Sequence, residues 1–174
     1  PPSLVLRDLP SRFRLLYILL THAHFDHLSF LDRWHDAFDA PIAIGAQDAP
    51  ALSDLYLNLS ASFTRLPRSY PPADLLLSDQ DRLPYFGGEI DVMHTPGHTP
   101  GSVCYLFDGV LFSGDTLFSC GGVGRTDFPG GSARDLRRSV LRILSLPPDT
   151  VLFPGHSSSS AISDEQHYHI HGGI

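Results

Sequence analysis

The chain contains no lysine, and all twelve of its basic residues are arginine. This removes Schiff-base chemistry and any lysine nucleophile from consideration. Glutamate is scarce too, since seventeen of the nineteen acidic residues are aspartate, a skew that fits a GC-rich coding sequence better than a function. The two cysteines, Cys104 and Cys120, lie far apart and form no CxxC. Neither a disulfide framework nor a thiolate metal site is therefore expected, and both read as free core thiols. The longest apolar run, Leu15 to Leu20, is a strand's worth, so no membrane span is expected. No basic segment followed by an apolar one opens the chain, and the expected location is the cytoplasm. A formal net charge of −7 with no basic cluster on one face argues against a nucleic-acid partner. A small molecule is the expected partner.

With 174 residues, 42% of them hydrophobic, the chain can bury a sizeable core and reads as a single domain over 1–174. Arg14 to Leu20 is almost wholly apolar and ends at Thr21, as a buried central strand would. Leu28 to Phe38 follows with Leu31, Trp34 and Phe38 at helical spacing. Pro41 to Gly45 reads as a second short strand, and Ala46 to Ala73 as a partly helical, mobile flap. From Glu89 onward, EIDVMH, SVCYLF and VLFSG alternate with Pro-Gly and Asp-Gly turn signals, the pattern of a β-meander. Ser132 to Leu146 places Leu136, Val140, Leu141 and Leu144 on one face behind a serine cap, which predicts an amphipathic helix ended by Pro147 and Pro148. Thr150 to Phe153 is a last strand, and the Ser- and His-rich tail shows no strong period.

The ten histidines are where chemistry enters. His22, His24, Asp26 and His27 fall within six residues directly after a strand. In an extended segment His22 and His24 point the same way and can chelate one metal, while Asp26 and His27, where the chain turns into a helix, can face a second. His98, in the turn Thr95 to Gly101, would complete the first set. Asp115 emerges from Val110 to Phe112 at a strand end beside Gly114 and can bridge both ions. His156 ends the last strand and can close the second set. A lone His98, His156 or Asp115 would more often be structural. The HxHxDH run is harder to dismiss, because imidazoles and carboxylates are the donors that zinc, iron and manganese accept, and four left unpaired in a buried loop would be costly. His35, His167, His169 and His171 read as exposed, and His94 as a support for His98 or a strand-end structural residue.

THAHFDH, TPGHTPGS, FSGDTLF and PGH, in this order, resemble the metallo-β-lactamase superfamily. LFSGDTLFSCGGVGRTDFPGG narrows the likeness to the glyoxalase II-like branch, the hydroxyacylglutathione hydrolases and their single-domain relatives. The resemblance implies an α/β fold, a four-layer αββα sandwich with two metals at one edge: His22, His24 and His98 on one, Asp26, His27 and His156 on the other, and Asp115 between them. The implied cofactors are two divalent ions, zinc first, with iron or manganese as alternatives. The implied reaction is hydrolysis of a thioester or ester by a metal-bridging hydroxide, with Asp26 and Asp115 as the catalytic carboxylates. No GxSxG motif or other base-paired nucleophile competes with that reading. Arg125 either binds an anionic substrate or braces the loop by pairing with an acid such as Asp127, and the brace is favoured.

The chain departs from the family in three ways. Relatives usually begin with further strands and an Asp-Pro-Gly turn that are not found ahead of Arg14, so an N-terminally truncated sandwich is expected, with self-association through an exposed sheet edge. Only eighteen residues follow His156, too few for the helical domain that helps hold glutathione. Ser157 and Tyr168-His169 stand where relatives often have Gly and Asn-Pro. Two alternatives follow: a persulfide dioxygenase with one iron on His22, His98 and Asp115, and a truncated metal-binding protein without catalysis.

Overall fold

The computed structural model describes residues 13–172. Two sheets lie face to face between helices. The first has three parallel strands in the order β1 (Ile18–Leu19), β2 (Ile42–Gly45), β3 (Leu75–Leu77). The second has six in sequence order, β4 (Arg82–Tyr85), β5 (Gly88–His94), β6 (Val103–Phe107), β7 (Val110–Gly114), β8 (Val151–Pro154) and β9 (Ser160–Ala161). All neighbours in it are antiparallel except β7 and β8.

Side-chain alternation explains the layers. On β2, Ile42 and Ile44 point to one face and join Leu20, Leu28, Leu31 and Leu52 in a core under the first helices. Ala43 points to the other face and meets Val92, Val103 and Tyr105 of the second sheet. On β5 and β6, Met93 and Cys104 turn away from that interior to meet Leu136, Val140, Ile143 and Ile162. Three cores thus separate four layers, helix, sheet, sheet, helix, which is the αββα order that the resemblance implied. A strand buried on both faces must be apolar throughout, and all four residues of β2 are buried. Among the described residues no helix is long and apolar enough to cross a membrane.

Several expectations are corrected. The first strand shrinks to Ile18–Leu19. The helix over Leu28 to Phe38 is two, α1 (Phe25–Leu28) and α2 (Leu31–Phe38), so α1 begins inside the metal motif. The flap at 46–73 contains a 3-10 turn (Ala49–Leu52) and a short helix, α3 (Ser60–Phe63), and it is tied down: buried Asn58 accepts the Ser60 N–H at 2.9 Å, donates to the Arg68 carbonyl at 3.2 Å, and its own carbonyl accepts the Phe25 N–H at 2.9 Å. Helix α4 (Ala133–Ile143) is capped by Ser132 as predicted, but Ile143 rather than Leu141 is buried. The tail, which shows no strong period, adds β9 and helix α5 (Ile162–Gly172). Cys104 is buried as expected, but Cys120 is exposed.

Among the described residues the two sheets do not match in width. Phe112 on β7 and Phe153 on β8 share the inner face with Tyr105, yet are 40% and 43% exposed. They stack on each other at 5.6 Å, and Phe112 stacks on Phe107 at 5.8 Å. The three-stranded sheet covers Tyr105 and stops short of this phenylalanine ladder.

Candidate metal centre

β5, β7 and β8 run in the same direction, and the loops after them meet the loop after β1 at one edge of the sandwich. After β1 the chain stays extended through His24 (φ −75°, ψ 144°) before α1 starts. Ala23 therefore points into the core, 1% exposed, while His22 and His24 share the opposite side. Asp26 and His27 occupy the first turn of α1. His98 hangs from the β5–β6 loop, Asp115 follows β7, and His156 follows β8. All seven residues singled out in the sequence come together.

The ligand atoms of His22, His24 and His98 lie within 4.8 Å of one another, as do those of His22, His27 and Asp115 and those of Asp26, His27 and His156. Asp115 is central: its Oδ1 is 3.4 Å from His27 Nε2, and its Oδ2 is 3.6 Å from His98 Nε2 and 3.5 Å from His156 Nε2. Asp26 Oδ2 lies 3.2 Å from His156 Nε2 and 3.7 Å from His27 Nε2. His22, His24 and His98 are buried, whereas the His156 side chain is 55% exposed at the mouth.

His22 Nε2 is buried without a hydrogen-bond partner, and His27 Nε2 and Asp115 Oδ1, 3.4 Å apart, have none but each other. Such orphans are rare and cost free energy. His98 Nδ1 faces the Arg125 carbonyl at 2.8 Å; a carbonyl can only accept, so Nδ1 carries the proton and Nε2 presents its lone pair to the cluster. That lone pair lies 2.9 Å from His24 Nδ1. Divalent cations held among these residues would satisfy them, and the donor set is one that zinc, iron and manganese accept.

The electrostatics of His22 and His24 agree. Burial, followed by the neighbouring imidazoles, holds His22 well below its ordinary value. Burial and His98 lower His24 to about 4. Both rings are therefore neutral at physiological pH, the state that binds metal. For His27 burial works downward, but contact with Asp115 and the charges of Asp115 and Asp26 prevail and raise it. For Asp115 burial works upward, but His27 and the other imidazoles prevail and lower it.

Two supports come from glycine and aspartate. A Cβ on Gly155 would lie 2.4 Å from Asp115 Oδ1 and 2.6 Å from His27 Cε1, so only glycine lets this backbone approach the cluster. Asp48, a residue not singled out in the sequence, is 3% exposed. It accepts from Ala23 N–H at 3.1 Å, Gly101 N–H at 2.7 Å and Thr99 Oγ1 at 2.7 Å, joining the loop of His22 and His24 to the loop of His98.

The other described histidines lie outside the cluster. His94 Nε2 contacts the Pro100 carbonyl at 2.9 Å and so ties the ends of the His98 loop. His35 and His169, expected to be exposed, are half-buried, and His35 Nδ1 contacts the Ala40 carbonyl at 3.2 Å. His167 is exposed; the His171 side chain lies outside those described. Arg125 is the brace that was favoured, clasping Asp127 at 2.7 and 2.6 Å.

Residues 10–156 match the family model of the metallo-beta-lactamase superfamily. The chain belongs to this superfamily. Among its members, a Bacillus subtilis protein named probable metallo-hydrolase YqgX is 37% identical over 154 residues, which covers 87% of this chain and 72% of that protein. The crystal structure of the BLEG-1 B3 metallo-beta-lactamase superposes with a TM-score of 0.87 at 38% identity, covering 95% of this chain and 81% of that one. A di-iron-bound form of TTHA1623 gives 0.81 at 36% identity, covering 97% and 83%.

Proposed function

We propose that this chain is a metal-dependent hydrolase of thioesters or esters, of the glyoxalase II-like kind, with two divalent ions: one on His22, His24 and His98, one on Asp26, His27 and His156, and Asp115 shared. The observation that carries the reading is the convergence of buried His22 Nε2, His27 Nε2 and Asp115 Oδ1, which no group outside the cluster satisfies. The name of the Bacillus subtilis relative, probable metallo-hydrolase, and the di-iron form of a structural neighbour support it. Zinc is the first choice for this donor set. Bound there, divalent ions would supply a nucleophile ionised at neutral pH and would polarise the carbonyl under attack.

The chain's own residues bind, orient and shield. Water adds to the acyl carbon, the carbon–sulfur bond breaks, and a carboxylate, a thiol and a proton leave. Asp26, with a side chain 40% exposed beside His156, is placed to orient the water and hold the proton it gives up. Asp115 stands at the centre of the cluster. Two buried groups are unavailable as nucleophiles: burial pushes the Cys104 thiol up to about 11, so it is protonated at neutral pH, and the Ser113 hydroxyl is spent on the Leu117 carbonyl at 2.8 Å.

The test is thiol release by chain purified without chelator, using S-lactoylglutathione and acyl thioesters of N-acetylcysteamine. Release that chelator abolishes and added metal restores is expected. Release indifferent to chelator, or oxygen uptake with a persulfide in place of thioester cleavage, contradicts the reading.

A further inference from the structure

Beside the cluster lies a cavity of about 430 Å³, within the size range of small-molecule sites. Apart from the cluster residues and Arg125, its lining is apolar: Phe25, Leu59, Phe63, Phe118, Val123 and Phe128. The rings run outward from the metal ligands in two files. On one side Phe128 sits edge-on to His24 at 5.7 Å, Phe63 edge-on to Phe128 at 5.5 Å, and Phe25 stacked on Phe63 at 6.2 Å and 9°. On the other, Phe118 sits edge-on to His156 at 6.0 Å.

Phe63 is 56% exposed and Val123 43% exposed, although large apolar side chains ordinarily retreat from water. An apolar patch held open beside a reactive centre marks a ligand surface. The segment that carries Leu59 and Phe63 is fixed by the buried Asn58 and its hydrogen bonds to Ser60 and Arg68, so the aromatic file is a built wall.

The wall offers little to an anion. Its one guanidinium among the described residues is Arg125, and that group is committed twice: Nε and Nη2 both bind the Asp127 carboxylate, and the Arg125 Cζ lies 3.9 Å over the Phe128 ring. The paired charges cancel, so away from the cluster the wall meets the carboxylates of a glutathione conjugate with phenylalanines and, among the described residues, no uncommitted cation.

We infer that the aromatic file from His24 to Phe25 is a subsite for an uncharged aromatic acyl group, so that this chain acts on aryl-acyl or arylalkyl-acyl thioesters in preference to small acyl groups or anionic glutathione conjugates. The inference rests on the hydrolase reading above and names the substrate class of the same site. Edge-to-face and stacked contacts favour a ring over an aliphatic chain of equal area. Each added carbon buried in such a pocket is worth a factor of about ten or more in discrimination.

The experiment compares the phenylacetyl and acetyl thioesters of N-acetylcysteamine with S-lactoylglutathione on metal-loaded protein. It measures kcat/KM for each, and the dissociation constants of matching ketones in which a methylene replaces the sulfur. The expected result is that the phenylacetyl ketone binds at least about tenfold more tightly than the acetyl ketone, with the glutathione analogue weakest. Phe63→Ala should cut the phenylacetyl-to-acetyl ratio about tenfold, while Phe86→Ala, 83% exposed on another part of the surface, should leave it unchanged. Equal binding of the two ketones, tightest binding of the glutathione analogue, or a ratio indifferent to Phe63→Ala would overturn the inference. An aromatic preference in binding without turnover of any thioester would sink the hydrolase reading and leave the aromatic subsite standing.

Discussion

Asp48 and Thr99, fifty-one residues apart, are joined by a 2.7 Å hydrogen bond from the threonine hydroxyl to the carboxylate, and the same oxygen accepts the Ala23 N–H at 3.1 Å. One carboxylate thereby fixes the spacing of His22 and His24 relative to His98. Supports of this kind set metal affinity without touching the metal. Asp48→Ala should weaken metal binding by about 10–100-fold and cost about 1–3 kcal/mol through the donors it strands. Asp48→Asn, which keeps an acceptor oxygen, should recover part of both. Chelator competition and urea unfolding read the two effects separately; unchanged affinity in Asp48→Ala would refute the brace.

Gly155 tests the close approach of β8 to the cluster. Alanine there sets a methyl 2.4 Å from Asp115 Oδ1, so the carboxylate must move. Gly155→Ala should reduce metal affinity by about tenfold or more, measured as metal retained after dialysis. Full retention would show that the backbone yields more readily than the geometry implies.

Glu165 tests the tail. It is fully buried, and its carboxylate accepts the Cys120 N–H at 3.1 Å and the Gly121 N–H at 2.7 Å. Those donors belong to a turn in which Cys120 holds a left-handed φ of 60°, a conformation that costs about 1 kcal/mol or more in a non-glycine residue. Glu165→Ala should destabilise the fold by about 2–4 kcal/mol, read by urea denaturation. A loss under about 0.5 kcal/mol would mean that water replaces the carboxylate without penalty.

Asp79 supplies a pH dependence away from the metal ligands. Burial is the largest single influence on its carboxyl and works upward, but hydrogen bonds from Arg142 at 2.6 Å and the His94 N–H at 2.8 Å, with the Arg142 charge, together prevail and lower its pKa. A carboxyl lowered in the folded state stabilises the fold fully above its unfolded value of about 3.9, and that contribution is lost as pH falls through the folded pKa. The side chain is 35% exposed, so solvent screening holds the contribution to about 1 kcal/mol or less. The stability difference between the parent chain and Asp79→Asn should be constant from neutral pH to about 5 and shrink below about 4. A difference that grows on acidification would contradict the sign.

How legible the molecule was in its sequence depends on where the signal sat. HxHxDH compresses four donors into one loop, and β5, β6 and β7 announce themselves by alternation between turn residues. β4 was missed because Pro84 demotes a strand; it is tolerated because β4 is the edge of its sheet and needs no second ladder there. The tail helix was missed because its buried residues include Ile162 and Glu165, and a charged residue on the buried side erases the hydrophobic period. Asp48 was missed because it acts through backbone N–H groups and a hydroxyl remote in sequence, which leave no periodic trace. The pairing of three core clusters into four layers follows from strand alternation only once the strand order is known.

The most direct test of the central claim is the number of metal ions bound per chain, by elemental analysis of protein purified without chelator. The account predicts two per chain, falling to one in His156→Ala and to one in His98→Ala. A folded chain that binds no metal, or a single ion that persists in both variants, would contradict it.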